Sequence, residues 1–123
     1  MQRKIKVLIV KPNELPEVSM IPNTLEAKQK IVGGYIEYAY NDKYSDVVFI
    51  CNEEGKINGL PFNRCLGEDI IAGDFLIVGD NSEIGEDISL TDIQINKYKT
   101  VFGEKSISET QDRLEEIYSS FGI

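Results

Sequence analysis

The segment Val47-Val48-Phe49-Ile50 constrains the fold of this chain more than any other. Together with Cys51 it makes a run that is apolar on both faces when it is extended, because successive side chains of a strand point to opposite sides. A strand of this kind is typical of the centre of a sheet. We therefore expect a β core, with Asp46–Cys51 as its central strand.

Three further β segments and one helix precede this strand. Lys4–Val10 and Glu17–Ile21 predict two strands that pair with each other, and Tyr35–Tyr40 predicts a third β segment. Between them, Asn23-Thr24-Leu25-Glu26 has the layout of a capping box with Asn23 as the N-cap. The helix that begins there is expected to end at Gly33-Gly34, since glycine accepts the left-handed conformation.

The second half of the chain predicts one more strand and then helices. Phe75–Val78 continues the β core after a turn, and the acidic segment Asp80–Asp87 is expected to be a solvated loop. Leu90–Phe102 and the apolar stripe from Ile107 to Phe121 predict helices. The expected fold class is α+β, a mostly antiparallel β core with one early helix and a helical C-terminal tail.

The length of 123 residues fits one domain. We expect residues 1–123 to form it, with a β-rich core over 4–80 and the acidic loop and helical tail over 81–123. No apolar run approaches the roughly 18 residues needed to span a bilayer, so no membrane partner is expected and the predicted location is the cytoplasm.

Composition also excludes several classes of function. The chain has no histidine and two cysteines, which excludes zinc sites built on histidine or thiolates and catalytic triads that need histidine. Its 13 basic and 21 acidic residues give a net charge of −8, and such a surface repels phosphate backbones. We therefore expect no enzymatic activity, no metal, no cofactor and no direct binding of nucleic acid.

The candidate binding site is the polar stretch from Asn52 to Arg64, which directly follows the central strand in the sequence. Asn52-Glu53-Glu54-Gly55 fits a type I turn that begins a bulged hairpin with Gly55 at positive φ, and Asn63–Leu66 predicts one helical turn. One interpretation is conformational, because Asn and Gly favour tight turns. In the other, the stretch binds a polar ligand through Asn52, Glu53, Glu54, Asn58, Asn63 and Arg64.

Arg64 has mostly apolar neighbours in the sequence, so we expect its guanidinium to lie against the edge of the core. A partly buried arginine needs a partner, because an unpaired buried charge is costly. Two kinds of partner are possible for Arg64. One is an internal carboxylate, with Glu53, Glu54 and Glu68 as candidates, and the other is a phosphate or carboxylate of a ligand, held bidentately.

Five motifs together resemble a small family known only as domain of unknown function 3846. They are Pro22-Asn23-Thr24-Leu25-Glu26, Val32-Gly33-Gly34-Tyr35-Ile36-Glu37, Asn52-Glu53-Glu54-Gly55-Lys56, Leu60-Pro61-Phe62-Asn63-Arg64 and Ile71-Ala72-Gly73-Asp74-Phe75. The resemblance covers residues 4–80, and members of the family are encoded by phages, conjugative elements and their bacterial hosts. It implies no catalytic activity.

What the resemblance does imply is a setting in the host-cell cytosol, because small acidic proteins of mobile elements often counter host defence. In one hypothesis, a homo-oligomer sequesters a small nucleotide-derived immune signal, with Arg64 meeting phosphate. In a second, the acidic surface blocks a host nuclease or CRISPR effector by direct protein contact. A third hypothesis is an accessory protein without a defence target. The expected partner is therefore a nucleotide-type ligand or a host defence protein.

Overall fold

An antiparallel sheet forms the core of the computed structural model, which describes residues 3–81 and 83–122. The α+β class expected from the sequence is confirmed. In chain order the elements are β1 (Lys4–Val10), β2 (Glu17–Pro22), α1 (Leu25–Val32), β3 (Ile36–Ala39), a 3-10 turn (Asp42–Tyr44), β4 (Val47–Asn52), β5 (Phe62–Leu66), β6 (Asp69–Ala72), β7 (Phe75–Asn81), β8 (Glu86–Ile88), α2 (Asp92–Val101) and α3 (Glu104–Ser120).

The main sheet has the strand order β2-β1-β7-β4-β3, and β8 pairs with β7 beside this path. β5 and β6 form a separate two-stranded hairpin. Every pairing among these strands is antiparallel. β4 lies between β7 and β3. Its five apolar residues are buried, as predicted, and Asn52 at its end is buried as well.

Both faces of the main sheet are covered, which explains why β4 is apolar at successive positions. On one face, Phe49 packs with Phe75 of β7 and Phe102, which follows α2. On the other face, Val48 and Ile50 pack in a second cluster that Ile31 of α1 joins. A strand with a layer on each side must bury both sets of alternating side chains.

The N-terminus of α1 differs from the capping box expected at Asn23. Thr24 is the N-cap, and its hydroxyl accepts a hydrogen bond from the amide of Ala27 at 3.2 Å. The side chain of Asn23 instead accepts from Lys28 Nζ at 2.9 Å and donates to the carbonyl of Asp87 at 3.1 Å. The prediction was wrong by one residue, because both residues are good caps and only the strand β8 decides between them.

The acidic segment is only partly a loop. Asp80 and Asn81 extend β7, and Glu86 and Asp87 pair with them as part of β8, whereas Ser82 lies outside the described residues. Asp87 forms an ion pair with Lys28, and the two side chains are only 10% and 8% exposed. The expectation of a fully solvated loop is therefore wrong, because Asp87 has a buried cation as its partner.

Two helices form the predicted helical tail. α2 begins with a capping box in which Thr91 and Gln94 bond reciprocally, and α3 follows it after Gly103. None of the helices within residues 3–81 and 83–122 has the length and the apolar character of a membrane-spanning segment.

The hairpin of β5 and β6 replaces the helical turn predicted at Asn63–Leu66. Leu66 pairs with Asp69, and Gly67 between them has a φ of 63°. The ladder is irregular between Phe62 and Arg64, as at a β-bulge. The two consecutive polar residues Asn63 and Arg64 are both buried there.

Arg64 is fully buried and donates all its hydrogen bonds to groups inside the protein. Nε and Nη2 donate to the carbonyl of Phe102 at 3.3 and 3.2 Å. Nη1 donates to the carbonyl of Lys11 at 3.3 Å and to Oδ1 of Asn63 at 2.9 Å, and Nη2 also donates to the carbonyl of Glu14. Arg64 therefore ties the hairpin to the β1–β2 loop and to the end of α2.

These contacts contradict both partners expected for Arg64. Among the described residues, no carboxylate forms an ion pair with it, and its burial keeps it from a ligand. Phe102 is the C-cap of α2, where carbonyl groups lack helical partners and the helix dipole is negative. Burial lowers the pKa of Arg64, but an arginine remains protonated in proteins. Backbone carbonyl groups thus satisfy the cation.

Replacing Arg64 should destabilise the fold strongly, because the buried carbonyl groups lose their donor. We expect Arg64→Ala and Arg64→Lys each to lower the free energy of unfolding by about 3 kcal/mol or more, since hydrogen bonds to charged groups contribute roughly 1.5–3 kcal/mol each. Lysine does not rescue because its single ammonium cannot reproduce the planar fork. Urea unfolding followed by circular dichroism measures the change.

Arg113→Ala is the matched control. Its guanidinium also donates to backbone carbonyl groups, those of Gly67 and Glu68, but it lies at the surface. We expect a loss of about 1 kcal/mol or less for this variant. An Arg64→Ala protein as stable as Arg113→Ala would contradict the structural role of Arg64.

Candidate functional site

A pocket of about 340 Å³ opens between the β3–β4 edge of the sheet, the β5–β6 hairpin and the turn over residues 53–59. This volume lies within the range of about 300–1,000 Å³ that is usual for ligand sites. Its floor is buried and apolar, with Leu66, Ile71 and Ala72 among its residues. Its rim is exposed and charged, so we call it the acidic pocket; the charged rim residues are Glu37, Glu53, Glu54, Lys56 and Asp69.

The rim carries four carboxylates and one ammonium group. The ammonium of Lys56 forms an ion pair with Asp69 across the mouth of the pocket. Burial alone would raise the pKa of Asp69, but hydrogen bonds from Lys56 and from the amide of Ile70 lower it. Asp69 is therefore ionised at neutral pH, and the field at the pocket is negative.

Asn52 positions the turn that forms one wall of the pocket. Its Nδ2 donates to the carbonyl of Val32 at the end of α1 at 3.1 Å, and its Oδ1 accepts from the amide of Glu54 at 2.8 Å. The amide of Gly55 then donates to the carbonyl of Asn52 at 3.3 Å, which is the expected turn bond. Because both ends of its side chain are used, Asn52 fixes the wall more than it offers free groups.

Gly55 is required at this turn for a reason other than the one predicted. It does not have positive φ, which occurs instead at Gly59 with a value of 70°. A Cβ atom at Gly55 would lie 2.6 Å from the carbonyl oxygen of Ala72. The close approach of turn and hairpin therefore demands glycine, and the predicted bulged hairpin is wrong.

The structure separates the six predicted ligand-binding residues. Asn52, Glu53 and Glu54 line the acidic pocket, and Asn58 is exposed on the same turn without lining it. Asn63 and Arg64 are buried elsewhere, so their predicted contact with a ligand is wrong.

Asn63 holds the fold together in the same way as its neighbour. Its Nδ2 donates to the carbonyls of Val10 and Gly73, each at 2.9 Å.

Sequence reasoning missed the pocket residues that come from other strands, among them Glu37, Cys51 and Asp69, and it did not single out Lys56 and Ile57 in the turn. Glu37 comes from β3 and pairs with Cys51 at the end of β4, whereas Asp69 begins β6. Their proximity depends on strand pairing and on the docking of the hairpin. No local pattern in the sequence signals either arrangement.

Cys51 is a neutral thiol in the wall of the pocket. Burial, followed by the negative charges of Glu37 and Asp69, raises the pKa of Cys51 to about 11. Its Sγ donates to the carbonyl of Glu37 at 3.7 Å. A thiol must ionise to act as a nucleophile, so Cys51 is not activated at neutral pH.

A family model described as Domain of unknown function (DUF3846) matches residues 5–103. The chain belongs to this family. The match includes every residue that lines the acidic pocket and runs through α2, which is further than the resemblance over residues 4–80. No curated protein and no solved structure matches the chain.

In this DUF3846 protein, Cys51 should resist alkylation while the chain is folded. With its pKa raised to about 11, the thiolate fraction at pH 8 is on the order of one in a thousand. Iodoacetamide should modify Cys51 slowly at pH 8 and faster as the pH approaches 11, as measured by peptide mass spectrometry. The urea-unfolded protein is the control, and equal rates in both states at pH 8 would show that folding neither shields the thiol nor raises its pKa.

Proposed function

We propose that this protein is a non-enzymatic binding protein whose acidic pocket docks a basic protein partner. The observation that carries this proposal is the charge of the rim, four carboxylates against one lysine, around an apolar floor. Such a surface attracts a cationic partner and repels an anionic one. It develops the second hypothesis drawn from the sequence, and it proposes the rim of the acidic pocket as the contact surface.

The turn over residues 53–59 adds an apolar contact to this surface. Ile57 lines the pocket and is 85% exposed, although a single exposed apolar side chain is common in itself. Protein interfaces combine apolar anchors with a polar rim, and anchors near the centre contribute most to affinity. Ile57 together with the surrounding carboxylates provides both parts.

Sequestration of a nucleotide-derived signal has less support. The hypothesis relied on Arg64 for phosphate, and Arg64 is buried with carbonyl partners. Among the described residues that line the acidic pocket, Lys56 is the only cation, and Asp69 already pairs with it. A phosphate at this rim would face uncompensated carboxylates.

In the mobile-element setting that the family resemblance implies, the basic partner is a host nuclease or CRISPR effector. The nucleic-acid groove of such an enzyme is positively charged, and an acidic protein can occupy it. This part of the proposal rests on the resemblance alone. An accessory protein with another basic partner would use the same surface.

Neutralising the rim should weaken capture of the partner. We expect the triple variant Glu37→Gln, Glu53→Gln and Glu54→Gln to bind a purified basic partner at least about tenfold more weakly, and wild-type binding to weaken with added salt. Surface plasmon resonance at two salt concentrations measures both effects.

The matched control carries Asp112→Asn, Glu115→Gln and Glu116→Gln at exposed positions of α3. It removes the same number of negative charges as the rim variant. Its affinity should stay close to that of the wild type. Equal losses in the two variants would mean that net charge, not the acidic pocket, determines binding. Stoichiometric release of a phosphorylated small molecule on heating the purified protein would favour sequestration instead.

A further inference from the structure

The acidic pocket already holds a cation from its own chain. Lys56 comes from the turn over residues 53–59, Asp69 begins β6, and their ion pair bridges the two sides of the mouth. Asp69 is fixed by the Ile70 amide, which donates to its Oδ1 at 2.8 Å. The site is therefore built to hold a positively charged group at Asp69.

This internal ion pair can open without disturbing the turn. The side chains of Lys56 and Asp69 are 53% and 67% exposed, and ion pairs at such exposure contribute little to stability. The turn is held by other bonds, from the amide of Asn58 to the carbonyl of Glu54 at 2.9 Å and from the amide of Leu60 to the carbonyl of Gly55 at 2.9 Å. An external cation can thus replace Lys56 at small cost.

Two carboxylates of the rim, those of Glu37 and Asp69, line the pocket together with Cys51. The charges of Glu37 and Asp69 both act on the Cys51 thiol in the pocket wall, and the charge of Lys56 acts on it with opposite sign. Glu37 lies opposite Cys51 in the β3–β4 ladder. A cation that enters beside Cys51 is therefore attracted by both carboxylates.

The apolar floor and the carboxylates of the rim suit an arginine side chain in particular. The methylene stem of a long basic side chain can pack on buried apolar residues such as Leu66 and Ile71 while its head group stays at the rim. A guanidinium offers five donors in a planar fork and bonds carboxylates bidentately, whereas an ammonium is a point charge.

We infer that an arginine side chain of the partner enters the acidic pocket and displaces Lys56 from Asp69. This inference rests on the proposed function and names the group that the pocket recognises. Lys56 then acts as an internal competitor that occupies the site when no partner is bound. Its removal should strengthen binding of an external arginine, whereas loss of the Asp69 charge should weaken it.

The test uses N-acetyl-arginine amide, a blocked arginine with one positive charge, as the probe. Titration into the full chain is followed by NMR of the Ala39, Leu66 and Ile71 methyl groups. We expect Lys56→Ala to bind the probe about two- to fivefold more tightly than the wild type, and Asp69→Asn to bind it several-fold more weakly. Lys105→Ala is the matched control, because it removes the same charge from the exposed pair with Glu109.

Equal effects of Lys56→Ala and Lys105→Ala would overturn the inference, as would the absence of methyl shifts in both variants. Equal binding of N-acetyl-lysine amide would overturn the preference for arginine, and tighter binding of spermidine would identify a polyamine in place of a protein side chain. If the triple rim variant no longer captures the basic partner but the wild type does not bind the arginine probe, only this inference fails. If the probe binds but the triple rim variant captures the basic partner as tightly as the wild type does, the proposed function fails.

Discussion

Arg64 donates hydrogen bonds to backbone carbonyl groups at Lys11, Glu14 and Phe102, which lie in two separate parts of the chain. These bonds dock the β5–β6 hairpin against the β1–β2 loop and the C-terminus of α2. Asn63 adds bonds from the same strand to the ends of β1 and β6, and the amide of Cys65 donates to Thr110 of α3 at 3.1 Å. The acidic pocket exists because the hairpin is held in this position beside β3 and β4.

Because carbonyl groups bond the buried cation of Arg64, the surface keeps carboxylates that could otherwise have paired with it. Within the described residues, no carboxylate is used to neutralise Arg64, so the glutamates nearest to it in sequence remain available. Glu53 and Glu54 stand on the pocket rim, and Glu68 lies exposed at the hairpin turn. The hydrogen bonding of Arg64 to carbonyl groups therefore has two consequences. It holds the hairpin in place, and it leaves the pocket acidic. Part of the net charge of −8 lies at this rim, where four carboxylates stand beside one lysine.

Periodicity and turn chemistry predicted much of the fold. The apolar run at β4, the pairing of β1 with β2 and the glycine stop of α1 follow from local sequence, because each depends on neighbouring residues. The strand β5 was missed because five residues before a glycine suit a helical turn equally well, and only pairing with β6 decides. The partners of Arg64 and the position of Asp69 depend on contacts between distant segments, for which a single sequence carries no signal. Glu53 and Glu54 were found because the turn that carries them follows directly from β4.

The most direct test of this account is the solvent exchange of the arginine side chains, measured by NMR of their Nε–H groups. The Nε–H of Arg64 should exchange only when the protein unfolds, and inorganic phosphate or a cyclic nucleotide should leave its resonance in place. Arg3, whose side chain is 58% exposed, should exchange rapidly and serves as the internal reference. Exchange of Arg64 as fast as that of Arg3, or a shift of its resonance with phosphate, would contradict the account and return Arg64 to the role of a ligand contact.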